Sequence, residues 1–313
     1  MMPRSEVLVG IDVSERELEI RVLSEAKSWR VPNTAKGHAS LVKLWSGAPV
    51  TVGLEPSGGY ERSLVEALTA AGVDVRWANP DRVRALAKAL GAPAKTDAID
   101  AELIARFIES TGGSPVQLDA DRQVLRDLIA ARDALLDTAE RLTGQKRLAP
   151  PGAAREALER IAAQAADEAK ALTERLLDAI AASPRLAPTW RLLQTAPGIG
   201  RLLAAQLVAD MPELGQVSRK AIAKLAGLAP FIRKSGKWTG KATCSGGRTR
   251  PRCALFMAAM ASLRARNGLR PVYERLVANG KPRMVALTAC MRRLLVTLNA
   301  MVANQTPWQH IPA

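Results

Sequence analysis

The sequence predicts an α/β N-terminal domain, then a helical coiled-coil arm, then a mainly α C-terminal domain. Three observations carry this reading. Strand and helix signals alternate over residues 6–110, as in a sheet covered by helices. From Asp119 to Ala182 the chain is rich in Ala, Leu, Arg, Asp and Glu, with apolar residues at helical spacing. From Trp190 onward it is again mostly helical, and strongly basic. The implied boundaries are 1–112, 113–188 and 189–313.

The apolar run Glu6 to Val13 reads as a buried strand, Glu17 to Leu23 alternates as a second, and Lys27 to Val31 makes a third, giving a β-meander at one edge. A helix near Gly37 to Trp45, a strand Val50 to Leu54, a helix Tyr60 to Ala71 and a strand Val73 to Ala78 follow. Further helices start at Pro80, which suits a first helical turn, and at Thr96, which suits an N-cap. Thr111-Gly112-Gly113-Ser114-Pro115 closes the domain. In the arm, Leu125, Leu128, Ile129, Leu135 and Leu136 mark one of two long helices, broken at Pro150-Pro151-Gly152, with the role of a spacer or dimerisation arm. The last region carries helices near Arg201, Arg219 to Ala226, Arg252 to Arg266, Pro271 to Ala278 and Val285 to Val302, around an irregular polar stretch from Pro230 to Arg252.

Composition narrows the function. A hydrophobic content of 48% suits a chain that buries a core. No uninterrupted apolar run long enough for a membrane span occurs and no signal core precedes the first strand, so a cytoplasmic protein without a membrane partner is the default. Cys244, Cys253 and Cys290 lack paired spacing, which argues against disulfides and zinc. The net charge of +15 is unevenly placed: Arg191 to the end holds 20 Lys or Arg against three acids, whereas the first 190 residues hold 25 basic and 27 acidic. Such a region suits a polyanion, since Lys and Arg neutralise phosphates and release counterions. Anionic lipid is the rival, but no basic amphipathic helix with an aromatic face is present.

Asp12 and Glu55 each end an apolar strand, and Asp97 and Asp100 lie three apart at a helix start, on one face. Singly, such acids are ordinarily solvated ends or helix caps. Together they offer hard oxygen ligands suited to Mg²⁺ or Mn²⁺, and a two-metal centre stabilises attacking and leaving oxygens in phosphodiester chemistry. Farther on, Ala196-Pro197-Gly198-Ile199-Gly200 precedes the helix that opens at Arg201. This is either a plain glycine turn or a helix-hairpin-helix that presents Gly198, Gly200 and Arg201 to a phosphate.

Gly10-Ile11-Asp12-Val13, Glu55-Pro56-Ser57-Gly58-Gly59-Tyr60 and Lys95-Thr96-Asp97-Ala98-Ile99-Asp100-Ala101 resemble the three acidic motifs of the insertion sequence 110 family of transposases, which includes the Piv-type DNA invertases. The resemblance continues through Gly227-Leu228-Ala229-Pro230 and Phe231 to Lys241, then Ala254 to Ala259, Gly280-Lys281-Pro282 and Ala289 to Leu294, and reaches Pro307-Trp308, so it spans nearly the whole chain. It implies a ribonuclease H-like, RuvC-like first domain whose Asp12, Glu55, Asp97 and Asp100 bind Mg²⁺. It also implies a C-terminal transposase domain in which Ser235 attacks DNA and forms a phosphoserine link. A Ser-His triad has no support, because His38 and His310 lie outside these motifs. Lys234, Lys237, Lys241, Arg248, Arg250 and Arg252 are the candidate DNA contacts. The family further implies a homo-oligomer, dimer or tetramer, with composite sites, and a bridge RNA as guide. Two other readings stay open: a metal-dependent nuclease or resolvase that uses water, and a nucleic-acid-binding protein with a degenerate site.

Overall fold

The computed structural model of the chain describes residues 7–25, 27–91, 97–231, 234–235, 238–239, 243–265 and 268–309, with the backbone alone at 97, 98, 234, 235, 238 and 239. It forms two compact units, Met1–Leu118 and Asp119–Ala313.

The first unit runs β1 (Val7–Val13), β2 (Glu17–Val22), β3 (Lys27–Pro32), α1 (Ala35–Trp45), β4 (Val50–Leu54), α2 (Arg62–Ala70), β5 (Asp74–Trp77), α3 (Pro80–Ala89), α4 (Asp97–Thr111) and β6 (Ser114–Pro115). Its strands make one six-stranded mixed sheet in the order β3-β2-β1-β4-β5-β6. The expected meander is its β3-β2-β1 edge, antiparallel throughout, while β1, β4 and β5 are parallel. Residues 111–115 do more than end the domain. Gly112 and Gly113 take φ of 72° and 58°, which turns the chain so that Ser114 and Pro115 pair with Trp77 and Arg76 as an edge strand. An edge tolerates the missing N–H of proline.

Period-two alternation gives the sheet two different faces. Val9, Ile11, Val50, Val52, Leu54, Leu18 and Ile20 point to one face and pack under Leu41, Trp45, Leu64 and Leu68 of α1 and α2. The opposite face carries Gly10 and Gly53, which are register partners. A Cβ at Gly10 would enter the shell of the Ala101 carbonyl oxygen and lie 2.7 Å from the Ala105 nitrogen. A Cβ at Gly53 would collide with Ile108 and lie 3.3 Å from Ile104. Helix α4 therefore rests its backbone on bare sheet, and its Leu103, Ile104, Phe107 and Ile108 close a second core with Ala78 and Val83.

The second unit contains α5 (Ala120–Leu148), α6 (Ala153–Ala182), α7 (Ala187–Leu193), α8 (Arg201–Asp210), α9 (Arg219–Leu225), β7 (Pro230–Phe231), β8 (Lys234–Ser235), β9 (Trp238–Thr239), β10 (Thr243–Cys244), α10 (Thr249–Ser262), α11 (Arg270–Ala278) and α12 (Arg283–Asn304). Helices α5 and α6 form an antiparallel hairpin about Pro150-Pro151-Gly152, cross-linked by Lys146–Glu159 at 2.8 Å and by Arg132 donating to Thr173 at 2.9 Å. Buried Ala139, Ala162, Ala165 and Ala169 let the pair approach closely. Its base is rooted in the helical core through Leu125, Ile129, Leu176, Leu177 and Ile180. Helix α12 is long and apolar enough by composition to cross a membrane. Here Leu287, Cys290, Leu294, Leu295 and Leu298 are buried as a central part of that core. The stretch from Pro230 to Arg252, read as irregular, carries two small antiparallel pairs, β7 with β10 and β8 with β9. Two-residue strands are too short to show a period.

Three arginines close the C-terminus of α8, where carbonyls lack helical partners. Arg122 Nε donates to the Val208 carbonyl (3.0 Å), Arg126 Nε to Ala209 (2.9 Å) and Arg248 Nη1 to Asp210 (3.0 Å). Arg248 also grips Glu213 bidentately at 2.7 and 2.6 Å. Burial pushes the Glu213 carboxyl up, but the Arg248 contacts outweigh it and hold the group below its ordinary range. The guanidinium of Arg248, one of the candidate DNA contacts, is thus engaged at a helix end and on a carboxylate.

Two stability predictions follow from these contacts. Gly10→Ala should lower unfolding stability in urea by about 3 kcal/mol, against about 1 kcal/mol for Gly47→Ala, where φ is 74° but nothing lies within 4 Å; equal losses would refute the close seating of α4. Arg248→Ala should cost about 2–3 kcal/mol, because Glu213 is left half-buried and unpaired, and a melting temperature matching wild type would refute the capping role.

Candidate functional site

The β1–β4 ladder ends at Ile11 and Leu54, and the next residues on the two chains are Asp12 and Glu55. Each acid stands two residues beyond a glycine of the bare row, so alternation turns Asp12, and the start of the segment after β4, toward the α4 side. Both are half-buried. Asp100 is half-buried in the first turn of α4, next to Ala101, whose carbonyl presses on Gly10. The sheet thus puts Asp12 and Glu55 on neighbouring strands and seats the helix of Asp100 against one of them. Asp97 opens α4, and its side chain lies outside the described residues. Among the described residues, no three His, Cys, Asp or Glu side chains stand close enough together to hold a metal ion.

Three residues that the sequence reading passed over shape this region. Glu19 is the cross-strand partner of Asp12 and is buried, with Arg30 Nε at 2.6 Å from its carboxylate. Arg30 thereby neutralises a further acid that would otherwise repel Asp12. Glu61 is buried and receives the Ser57 hydroxyl at 2.5 Å and the Ser57 and Gly59 amides at 3.1 and 2.9 Å. Burial raises its pKa, but these hydrogen bonds prevail and the net shift is downward. Glu61 therefore stays ionised and ties the Glu55–Glu61 segment into one unit. Asn33 donates both amide hydrogens, to the Ser14 carbonyl at 2.8 Å and the Tyr60 carbonyl at 3.0 Å. The sequence does carry a local mark of the glycine row, a Gly-x-acid spacing repeated at Gly10–Asp12 and Gly53–Glu55.

The basic candidates separate by burial. At Gly198 (φ 88°) a Cβ would meet the Ala258 carbonyl and lie 2.7 Å from the Ser262 nitrogen, so its smallness serves packing on α10. Gly200 is the N-cap of α8, with open space around its Cβ position and no side-chain cap. Exposed Arg201 follows it. Exposed Arg250 reaches Asp133 at 3.4 Å, and half-buried Arg252 donates to the Gly246 carbonyl at 2.8 Å. Lys234 and Ser235 pair in register with Thr239 and Trp238 through their backbones, and their side chains lie outside the described residues, as do Lys237 and Lys241 entirely. Ser235 belongs to the second unit and the four acids to the first.

A transposase family profile of the DEDD, insertion sequence 110 type matches residues 9–148, spanning all three acidic segments. A profile described as the transposase IS116/IS110/IS902 family matches residues 190–274. Together they cover more than two thirds of the chain. The pilin gene-inverting proteins of Moraxella lacunata and Moraxella bovis are each 26% identical to it, over 97% of this chain and 98% of theirs. With the acidic segments inside one profile and the basic segment inside the other, the chain belongs to the IS110 family of transposases and is a DNA transposase, an enzyme of DNA recombination.

Proposed function

We propose that the chain cuts and rejoins DNA strands through Ser235, with Asp12, Glu55, Asp97 and Asp100 as the ligands of a divalent metal, Mg²⁺ or Mn²⁺. The observation that carries the proposal is the bare glycine row, which seats the first turns of α4 beside the strand that ends on Asp12. Oxygen donors on two neighbouring strands and a helix start fit a hard cation, and the DEDD-type profile points to the same ion class. A bound divalent ion would supply the charge that lowers the pKa of a coordinated hydroxyl and stabilises the leaving oxygen.

In this reading the Ser235 hydroxyl oxygen attacks phosphorus. The bond to the leaving sugar oxygen breaks, and the serine proton passes to that oxygen, directly or through solvent. The phosphoserine link conserves the ester, so a hydroxyl from another strand can reverse the step, releasing Ser235 without an external energy source. That exchange suits relatives named for gene inversion better than hydrolysis by water does. The reading includes a ribonuclease H-like ancestry for the six-stranded sheet and a helix-hairpin-helix role for Gly200 and Arg201. Lys234, Lys237, Lys241, Arg250 and Arg252 would be phosphate contacts. It also includes a homo-oligomer that pairs the acids of one subunit with the serine of another, and a guide RNA.

Ser235→Ala and Asp12→Asn should each lower strand exchange by at least about 10³-fold, with DNA binding in gel shifts close to wild type, since neither removes a cationic contact. A covalent protein–DNA adduct should form with wild type and vanish in Ser235→Ala. Metal-dependent cleavage that persists without an adduct in Ser235→Ala would replace this proposal with the water-using nuclease. Undiminished exchange by Asp12→Asn would remove the acids from the mechanism.

A further inference from the structure

The backbone ladder between β1 and β4 stops one residue short of both acids. Among the described residues the β1–β4 register ends at Ile11 and Leu54. A side chain from a third segment links the two chains beyond that point. Asn33, between β3 and α1, donates one amide hydrogen to the Ser14 carbonyl and the other to the Tyr60 carbonyl. We propose that Asn33 is a positioning residue for the acidic site: its amide ties the segment after Asp12 to the segment after Glu55, and His38 fixes that amide's orientation.

Each part of this clamp is itself hydrogen-bonded. Ser14 closes the β1–β2 turn, with its amide donating to the Glu17 carbonyl at 2.9 Å and its hydroxyl accepting from the Glu17 amide at 3.0 Å. The Glu55–Glu61 segment is gathered by the Glu61 carboxylate, so a displacement of Tyr60 is passed back toward Glu55. Asn33 is held by its own amide on the Arg16 carbonyl at 2.8 Å, and Thr34 beside it caps α1. His38, one turn into α1 and 5% exposed, places Nε2 at 2.7 Å from Asn33 Oδ1. An oxygen there only accepts, so the ring carries a proton on Nε2 and the amide cannot flip. Of the ordinary side chains of this size, only a primary amide offers two hydrogens on one atom and an acceptor on the other. Asp would set a carboxylate against two carbonyls.

The inference rests on the divalent-metal reading of the acidic site, and the test separates the two. Mn²⁺ is titrated into full-length protein without DNA, and bound ion is read from the loss of the free-ion electron paramagnetic resonance signal. Asn33→Asp, which keeps the shape and the His38 contact but loses both bridging donors, should weaken Mn²⁺ about tenfold. His38→Leu should weaken it too, and His38→Gln, with a donor near the Nε2 position, should restore most of the affinity. Thr34→Ala is the control: it removes a helix cap and lowers the melting temperature, but should leave Mn²⁺ affinity unchanged. Wild-type affinity in Asn33→Asp overturns the proposal. So does an equal weakening in Thr34→Ala, which would mark a general loss of stability. If Asn33→Asp does not fold, the His38→Leu and His38→Gln pair decides, and equal affinities in that pair overturn it. Wild-type protein that binds no Mn²⁺ overturns the metal reading and this inference with it, whereas binding lost in Asp12→Asn but kept in Asn33→Asp overturns the clamp alone.

Discussion

The seating of α4 on Gly10 and Gly53 is the contact on which the first unit depends. Strand and helix are normally held apart by the side chains that fill the gap between them. Here two register-paired glycines remove that spacing, and the Ala101 carbonyl occupies space that a Cβ would need. The helix start, with Asp100, is thereby brought to the level of strand residues. Ile104 and Ile108 then find the Gly53 hollow, and Phe107 and Leu103 close the core behind them.

Close approach concentrates negative charge, and the surroundings manage it one acid at a time. Arg30 covers Glu19, Arg21 meets Glu102 at 3.0 Å, and the buried Glu61 is supplied with backbone amides. In the second unit the problem is inverted, because cations are in excess. Some cations are engaged inside the fold: Arg122, Arg126 and Arg248 finish α8, and Asp119 binds both Arg122 and Arg185. Of the 20 Lys and Arg counted from Arg191 onward, Arg248 is thus engaged within the fold, whereas Arg201 and Arg250 are exposed.

Much of the first unit was legible in the chain. Apolar alternation marked the strands, Pro80 and the helix caps marked helix starts, and the acids were conspicuous at strand ends and in a helical pair. The glycines beside them, Gly10 and Gly53, were equally visible, but their meaning was not: a glycine in a strand reads as weakness until a helix backbone is seen against it. Asn33, Glu61 and His38 were illegible for a related reason. Their partners lie in carbonyls and amides of other turns, and a backbone group has the same letter whatever it binds.

The sequence by itself determined the order of elements, the place of the acids and of the basic region, and the family resemblance, because periodicity and spacing are local properties of the chain. Only the tertiary structure decided which glycines were needed for contact, which arginines were already neutralised, and what keeps the Asp12 and Glu55 segments in step once the ladder ends. Those properties depend on atoms brought together from distant positions: Gly198 on α10, Arg248 on Glu213, and Asn33 between Ser14 and Tyr60. Close packing and hydrogen bonding act at a few ångströms in space, whatever the separation in sequence.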